Sequence, residues 1–153
     1  NAPLQVVIAG HLNPVKRAME IAKAKGAKRA ILLPVSAPFH SSLMGPAAFR
    51  LKEALAKIDV RSPAIPVVHN IDARVRTHPD EIREALFGQA DHPVRWTQCM
   101  MAMAATGVTH VYECGPGKVL APLSKRISAE LQGVALADKA GIEMGLQIHA
   151  QSS

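Results

Sequence analysis

Aromatic residues, cysteines and long apolar runs are all scarce in this chain, and each scarcity excludes a class of protein. Aromatics make up 3% of the 153 residues, and no recognisable nucleic-acid-binding motif occurs, which argues against nucleic-acid binding. No apolar stretch reaches the roughly 18 to 20 residues that a membrane span needs. The two cysteines, Cys99 and Cys114, have no metal-ligand spacing, and no secretory signal is present. We therefore expect two buried thiols in a protein of the reducing cytoplasm.

What the chain does contain is apolar and basic. Hydrophobic residues make up 48% of it, enough to bury a substantial core, and 18 basic against 12 acidic residues give a formal net charge of +6. This charge favours an acidic partner without choosing among protein, phosphorylated ligand, anionic lipid and nucleic acid. The histidines other than His40 show no metal-ligand spacing, and we predict surface or loop positions for His11, His69, His78, His92, His110 and His149.

Predicted strands alternate with predicted helices, which indicates an α/β fold with a mainly parallel sheet. The strands are expected at 5–10, 29–33, 65–70, 108–113 and 134–136, and the helices at 13–25, 41–58, 79–88, 95–105 and 119–131. Asn13 is the expected cap of the first helix, and Gly26 its stop. Because the chain leads at once into a strand without an initiator methionine, we expect it to begin inside a larger fold.

His40 is the main candidate for chemistry, because it lies between the end of an apolar strand and the start of a helix. Amide dipoles at a helix N-terminus disfavour a positive charge on the ring, so the imidazole should tend to stay neutral and able to accept a proton. A general base needs that state. The competing interpretation is a histidine at the rim of the core, beside Phe39 and satisfied by backbone groups.

Short motifs around and beyond His40 occur in a defined order. They are Asn1-x-Pro3-x-Gln5-Val6-Val7-Ile8-x-Gly10, Pro34-Val35-Ser36-x-Pro38-x-His40-Ser41-x-Leu43-Met44, Val67-Val68-x-Asn70-x-Asp72, Gln89 with Pro93-Val94-x-Trp96, and Tyr112-Glu113-x-Gly115-Pro116-Gly117-Lys118-Val119-Leu120. In order and spacing they resemble the C-terminal half of malonyl-CoA:acyl-carrier-protein transacylases of fatty acid synthesis. The resemblance extends to about Val134.

The resemblance implies a fold and a reaction. Residues 38–138 would form the C-terminal part of an α/β-hydrolase-like core, residues 1–37 a β-α-β remnant of a ferredoxin-like small subdomain, and residues 139–153 a C-terminal tail. In the family, a serine in a Gly-His-Ser-x-Gly turn takes malonyl from coenzyme A and passes it to the phosphopantetheine thiol of the carrier. The histidine at position 40 would deprotonate that serine. The chain contains no Gly-x-Ser-x-Gly, so we predict that it has no turnover alone.

The resemblance also assigns roles to individual residues. The backbone carbonyl of Gln89 would hold the far nitrogen of His40, and Asn1 and Gln5 would contact substrate. Phe39 would disfavour a methyl-branched substrate by about 1 to 3 kcal/mol. Without the resemblance, Gln89 is a solvated residue at a helix end and Phe39 a core aromatic. Ser41 and Ser42 are expected to be hydroxyls at a helix N-terminus.

The implied substrates are malonyl-CoA and the carrier's phosphopantetheine, with no metal and no other cofactor. The implied partner is an acidic acyl carrier protein; neither nucleic acid nor membrane is expected, and the complete protein should be a monomer. The basic residues of the first helix and its exit form either a solvated face or a docking surface for that carrier or for the phosphates of coenzyme A; they are Lys16, Arg17, Lys23, Lys25, Lys28 and Arg29. Gly115-Pro116-Gly117-Lys118 is either a phosphate cradle or, preferably, a tight turn. Two rival interpretations stay open: an acyltransferase domain of a polyketide or fatty acid synthase, and a non-catalytic basic binding fragment.

Overall fold

The computed structural model describes residues 1–152, which divide into two compact units. The first unit comprises Asn1–Val6, Asp72–Arg74 and the chain from Arg95 onward, and the second comprises Val7–Ile71 and Val75–Val94. Helices and short strands alternate through both, so the predicted α/β class is confirmed. None of the helices in residues 1–152 combines the length and apolarity needed to cross a bilayer.

The second unit begins with helix α1, Leu12–Ala24. Gly26, at φ +94°, ends it in the left-handed conformation that glycine adopts at low cost, and Ala27 N–H donates to the Ala22 carbonyl at 2.9 Å. The predicted helix and its stop are therefore confirmed. The predicted cap is wrong, because His11 occupies the N-cap position in an extended conformation and Asn13 lies inside the helix.

The strands predicted on either side of α1 are not formed. Among the described residues, no ladder of backbone hydrogen bonds joins the segments 5–10 and 29–33 to a neighbouring strand. Without such a neighbour, the backbone N–H and C=O groups of these segments must hydrogen-bond to water. Their apolar side chains stay exposed, Ile8 and Leu32 each at 54%. The predicted β-α-β remnant therefore keeps only its helix, while the boundaries at residues 37/38 and 138/139 remain a prediction.

The rest of the second unit holds the elements around His40. A 3-10 helix at Ser42–Met44 leads into α2, Gly45–Leu55, which packs against α3, Pro79–Gly88. Between them in sequence lie strands β1, Val68–His69, and β2, Arg74–Val75, which form a two-stranded sheet; Arg74 itself falls in the first unit. Ala48, Leu55, Ile82 and Ala85 are the buried apolar residues of α2 and α3. Arg83 of α3 donates to the carbonyls of Leu55 and Ile58 beyond the end of α2, which ties the two helices together.

The first unit contains a complete β-α-β arrangement. Helix α4, Trp96–Ala105, precedes β3, His110–Glu113; α5, Ala121–Ile127, then leads to β4, Gln132–Ala135. Strands β3 and β4 pair in parallel with Tyr112 opposite Val134, which confirms the predicted parallel pairing. A Cβ on Gly133 would lie 2.1 Å from the Ala121 carbonyl oxygen, so only glycine allows α5 to lie this close to β4. The predicted helix 119–131 is correspondingly shorter, because residues 128–131 turn into β4.

Helix α6, Lys139–Ser152, occupies the segment predicted as a tail. Asp138 accepts from the Gly141 N–H at 2.9 Å at its start. Gly145 in its middle is buried, and a Cβ there would lie 2.9 Å from Leu136 and 3.4 Å from Tyr112. The glycines that weaken the helical signal are thus the residues that allow α6 to pack closely.

Candidate active site

His40 stands in a strained turn. Its φ of +59° places a residue with a Cβ in the left-handed region, at a cost of about 1 to 3 kcal/mol. The Ser41 hydroxyl donates to the Pro38 carbonyl at 2.7 Å and closes the turn around His40. Ser41 and Ser42 lie at the N-terminus of the 3-10 helix as predicted, but the Ser41 hydroxyl bonds backwards to a carbonyl and caps no N–H. Strain of this kind accumulates at functional sites.

The imidazole of His40 contacts the end of helix α3. Its Nδ1 lies 2.8 Å from the backbone carbonyl oxygen of Gln89, the residue that follows the last residue of α3. Carbonyls at a helix C-terminus have no partner inside the helix, so this oxygen is available. Because a carbonyl can only accept, Nδ1 carries the proton and Nε2 presents the lone pair. The structure thus brings His40 and Gln89 together, and the ring is exposed.

Gly45-Pro46 predicts a regular helix that starts about one turn after His40, and the structure agrees. Regular helix begins only at Gly45, after the 3-10 helix, because Pro46 needs a place in the first turn. The helix end that the ring contacts is the C-terminal end of α3, whose dipole favours a positive charge on a nearby group. The His40 ring is therefore held by a carbonyl, as the resemblance implies, and not by the start of the following helix.

A second histidine contacts the same helix end. His92 Nδ1 lies 2.8 Å from the Gly88 carbonyl oxygen and 2.6 Å from Asp91 Oδ1. The hydrogen bond to the Asp91 carboxylate, followed by that to the Gly88 carbonyl, raises the pKa of His92. A cavity of about 300 Å³ opens beside this turn, lined by Ile71, Arg76, Glu84, Ala85, Phe87, Gly88 and His92. His92 is a loop residue as predicted. The spacing of the histidines along the sequence does not predict that it lies beside His40's partner, the end of α3.

Phe39, His78 and His69 also belong to this unit. Phe39 exposes 48% of its surface, so the core-aromatic interpretation is wrong and its role in specificity stays a prediction. His78 caps α3, with Nδ1 accepting from the Asp80 N–H at 3.4 Å. His69 is 6% exposed, contrary to the predicted surface position, because β1 buries it.

Asn1 and Gln5 lie in the first compact unit. A backbone bridge between Ala2 and Gln5 folds this segment into a tight turn, and Asn1 is exposed on it. Arg126 of α5 donates to the side-chain oxygen of Gln5 and, at 3.4 Å, to the Pro3 carbonyl. The substrate contact expected of Asn1 and Gln5 stays a prediction. Arg126 is a residue that sequence reasoning missed, since its partner lies at the other end of the chain.

The loop after β3 is a turn held by its own carboxylate. Glu113 accepts from the N–H groups of Val119, Leu120 and Ala121 at 3.1, 3.0 and 2.8 Å, and these bonds, that of Ala121 foremost, lower its pKa. The amides that a phosphate cradle would use are thus occupied. The Lys118 ammonium pairs with Asp138 at 2.7 Å. The tight-turn interpretation of Gly115-Pro116-Gly117-Lys118 is confirmed.

The two thiols differ. Cys99 on α4 is buried, and burial raises the pKa of its thiol. Cys114 follows the last residue of β3, where the chain turns outward, and is exposed, so the expectation of two buried thiols is half wrong. Within residues 1–152 no group of three or more histidine, cysteine, aspartate or glutamate side chains could hold a metal ion.

The chain is similar in sequence and in structure to known transacylases. No protein-family profile matches it. The malonyl CoA-acyl carrier protein transacylase of Escherichia coli K12 is 50% identical over 148 residues, which cover 97% of this chain and 48% of that protein. The crystal structure of acyl-carrier-protein S-malonyltransferase from Burkholderia pseudomallei 1710b is 54% identical with a TM-score of 0.85, over 90% of this chain and 45% of that one.

Over nearly its whole length, the chain is similar to malonyl-CoA:acyl carrier protein transacylases. It spans about half the length of the curated relatives it matches, in agreement with the C-terminal half that the motifs indicate. A third match is a malonyl-transacylase solved in complex with a type II PKS acyl carrier protein, at 41% identity and a TM-score of 0.86, over 90% of this chain and 45% of that one. The transacylase resemblance read from the motifs is confirmed.

Proposed function

We propose that the complete protein transfers malonyl from coenzyme A to the thiol of an acyl carrier protein, and that this chain supplies its general base, His40. The observation that carries the proposal is the 2.8 Å contact between His40 Nδ1 and the Gln89 carbonyl. It fixes the tautomer whose Nε2 can accept a proton, in a ring that is exposed to a reacting partner. The carbonyl takes the place of the carboxylate in a serine-histidine-aspartate triad.

The reaction needs a nucleophile from outside this chain, which contains no Gly-x-Ser-x-Gly. Nε2 of His40 takes the proton of that serine hydroxyl as the oxygen attacks the malonyl thioester carbon. The same proton passes to the coenzyme A thiolate as the carbon–sulfur bond breaks, which leaves a malonyl-serine ester. The carrier thiol then gives its proton to Nε2 and attacks the ester, and the serine oxygen recovers the proton. No metal or redox group takes part in this sequence, which uses malonyl-CoA and phosphopantetheine as its substrates.

The partner is proposed to be an acidic carrier protein. Lys16, Arg17 and Lys23 are exposed on α1, where their positive potential would raise the rate of encounter with an acidic surface. The related transacylase solved with its carrier supports this class of partner. We further propose a monomer in the cytoplasm, a compartment in which the exposed Cys114 stays reduced.

Intact-mass measurement tests the proposal. The open reading frame that contains this chain is searched upstream of Asn1 for a Gly-His-Ser-x-Gly, and the complete product is incubated with malonyl-CoA. We expect a mass gain of one malonyl group on that serine, discharged when carrier is added. His40→Ala should slow acylation roughly 10²- to 10⁴-fold, and His78→Ala, which changes an imidazole outside the site, should leave it within about twofold. Undiminished acylation in His40→Ala would refute the role of His40.

A further inference from the structure

The end of helix α3 is held by two imidazoles. The carbonyls of two successive residues, Gly88 and Gln89, each accept from a histidine Nδ1 at 2.8 Å, the first from His92 and the second from His40. The two rings come from different segments of the chain, one before α2 and one after α3. The contact of His92 therefore lies on the peptide unit next to the one whose carbonyl orients the proposed base.

Each peptide plane at this helix end is fixed at two points. The plane between Gly88 and Gln89 has its carbonyl held by His92 and its N–H held by the Ala85 carbonyl at 3.2 Å. The next plane carries the Gln89 carbonyl, and its N–H, from Ala90, donates to the Phe87 carbonyl at 3.1 Å. Release of the Gly88 carbonyl would free the first plane to rotate, and the Gln89 carbonyl would move with it.

A cavity lies beside this turn. Gly88 is buried, and a Cβ there would lie 2.8 Å from the Ile71 side chain. Gly88, Ile71 and His92 line the cavity together with Arg76 and Glu84. Asp91 Oδ1 lies 2.6 Å from the same His92 Nδ1 that meets the Gly88 carbonyl, so the carboxylate helps to keep the ring at that carbonyl. Without the ring, the turn could move into the cavity.

We propose that His92 is a positioning residue for His40: by binding the Gly88 carbonyl, it holds the Gln89 carbonyl where that group fixes the tautomer and orientation of the base. His92 touches no reacting atom and acts only through the backbone of residues 88–90. Its catalytic consequence rests on the function proposed above, whereas the geometric consequence does not. A functional side chain keeps its productive geometry only when the groups that hold it are themselves fixed by packing and hydrogen bonds.

The test reads the His40 ring directly. In the ¹⁵N-labelled chain, the Nδ1 proton of His40 is followed by its chemical shift and its rate of exchange with water. We expect His92→Ala to speed this exchange roughly tenfold, as for the loss of about one hydrogen bond. His92→Asn, whose side-chain amide keeps a donor near the Gly88 carbonyl, should restore most of the protection. Asp91→Asn, which retains the His92 ring and loosens it, should give a smaller change in the same direction.

His78→Ala is the matched control, because it removes an imidazole from the opposite end of the same helix. If His78→Ala speeds the exchange as much as His92→Ala does, the effect is general loosening of α3 and the proposal is wrong. It is equally wrong if both His92→Ala and Asp91→Asn leave the His40 proton as in the unmodified chain. If His92→Ala does not fold, the exchange rate of the His40 proton in Asp91→Asn still tests the proposal.

Kinetics in the complete protein separates this proposal from the proposed function. We expect His92→Ala to lower kcat roughly tenfold with KM for malonyl-CoA unchanged, and His92→Asn to recover most of it. If the His40 proton exchanges faster in His92→Ala while His40→Ala retains full activity, the positioning role is confirmed and the catalytic role of His40 is refuted. If kcat falls while the proton signal is unaltered, His92 acts by another route and the positioning role is refuted.

Discussion

Two segments of this chain carry the same strand-helix-strand pattern, and only one of them forms it. Between residues 110 and 135, β3 and β4 pair in parallel and α5 buries Ala121, Leu123 and Ser124 although it has only seven residues. Between residues 5 and 33, α1 has 13 residues, none of them buried, and both flanking segments are without a strand partner among the described residues. Apolar periodicity is local, whereas a strand needs a neighbour. The pattern in the sequence therefore indicates where a strand could form, and pairing decides whether it does.

The largest expected difference between the two segments concerns leucines. Leu131, just before β4, is 0% exposed, and Leu131→Ala should lower the free energy of unfolding by about 2 to 5 kcal/mol. Leu32, in the unpaired segment, is 54% exposed, and Leu32→Ala should cost less than about 0.5 kcal/mol. Urea unfolding of both variants measures the contrast. Equal losses would show that the segment around Leu32 is packed in solution, and the comparison would no longer hold.

Gly133 tests how closely the complete β-α-β arrangement is packed. Gly133→Ala places a Cβ within 2.1 Å of the Ala121 carbonyl oxygen, so α5 must move away from β4, and we expect a loss of about 1 to 3 kcal/mol. Gly117→Ala is the control in the same connection, because its nearest neighbour would be Glu113 Oε1 at 3.8 Å, an ordinary contact. Thermal unfolding compares the two. A Gly133→Ala variant as stable as Gly117→Ala would show that α5 does not press on β4.

The Glu113 carboxylate makes the stability of this β-α-β arrangement depend on pH. Three N–H donors lower the pKa of its carboxyl in the folded state, so its stabilising contribution is fully present above the unfolded-state pKa of about 4.3. That contribution is lost as the pH falls through the lower folded-state pKa. Glu113→Gln should therefore be less stable than the unmodified chain at pH 7 and closer to it in acid. Unfolding curves at neutral and acidic pH decide this, and a constant difference at both would contradict it.

The smallest expected effect concerns the exposed helix of the unpaired segment. Reversal of Lys16, Arg17 and Lys23 to glutamate should leave stability nearly unchanged, because α1 buries no residue. In the complete protein it should raise KM for the carrier several-fold at low salt and leave turnover of free malonyl-CoA unaffected. Steady-state kinetics at two salt concentrations measures this. An unchanged carrier KM at low salt would remove α1 from the docking surface.

Predictions succeeded where the signal was local. Helix α3 has its predicted bounds because Pro79 and two acidic residues mark its first turn and the apolar residues recur at helical spacing. Helix α6 escaped prediction because Gly141 and Gly145 count against a helix, while their reason is close packing on Ala135, Leu136 and Tyr112. Local propensity contains no information about that packing.

The residues of the candidate site also fall into two groups, those that sequence motifs predict and those that depend on tertiary contacts. His40 and the Gln89 carbonyl could be named in advance because motif order identifies them, and the structure places them 2.8 Å apart. His92 and Arg126 could not, because each acts through a tertiary contact with a group that no spacing indicates. A histidine four residues beyond a helix end is the only local signal for His92, since cations are favoured at that end.

The positive φ of His40 has a consequence for how this protein can evolve. Glycine would adopt that backbone conformation without steric cost, so His40→Gly should make the fold more robust while it deletes the imidazole. Selection for thermal stability alone would thus favour loss of the imidazole on which the proposed reaction depends. If His40 is the general base, a bulky ring at this bend costs stability in return for activity.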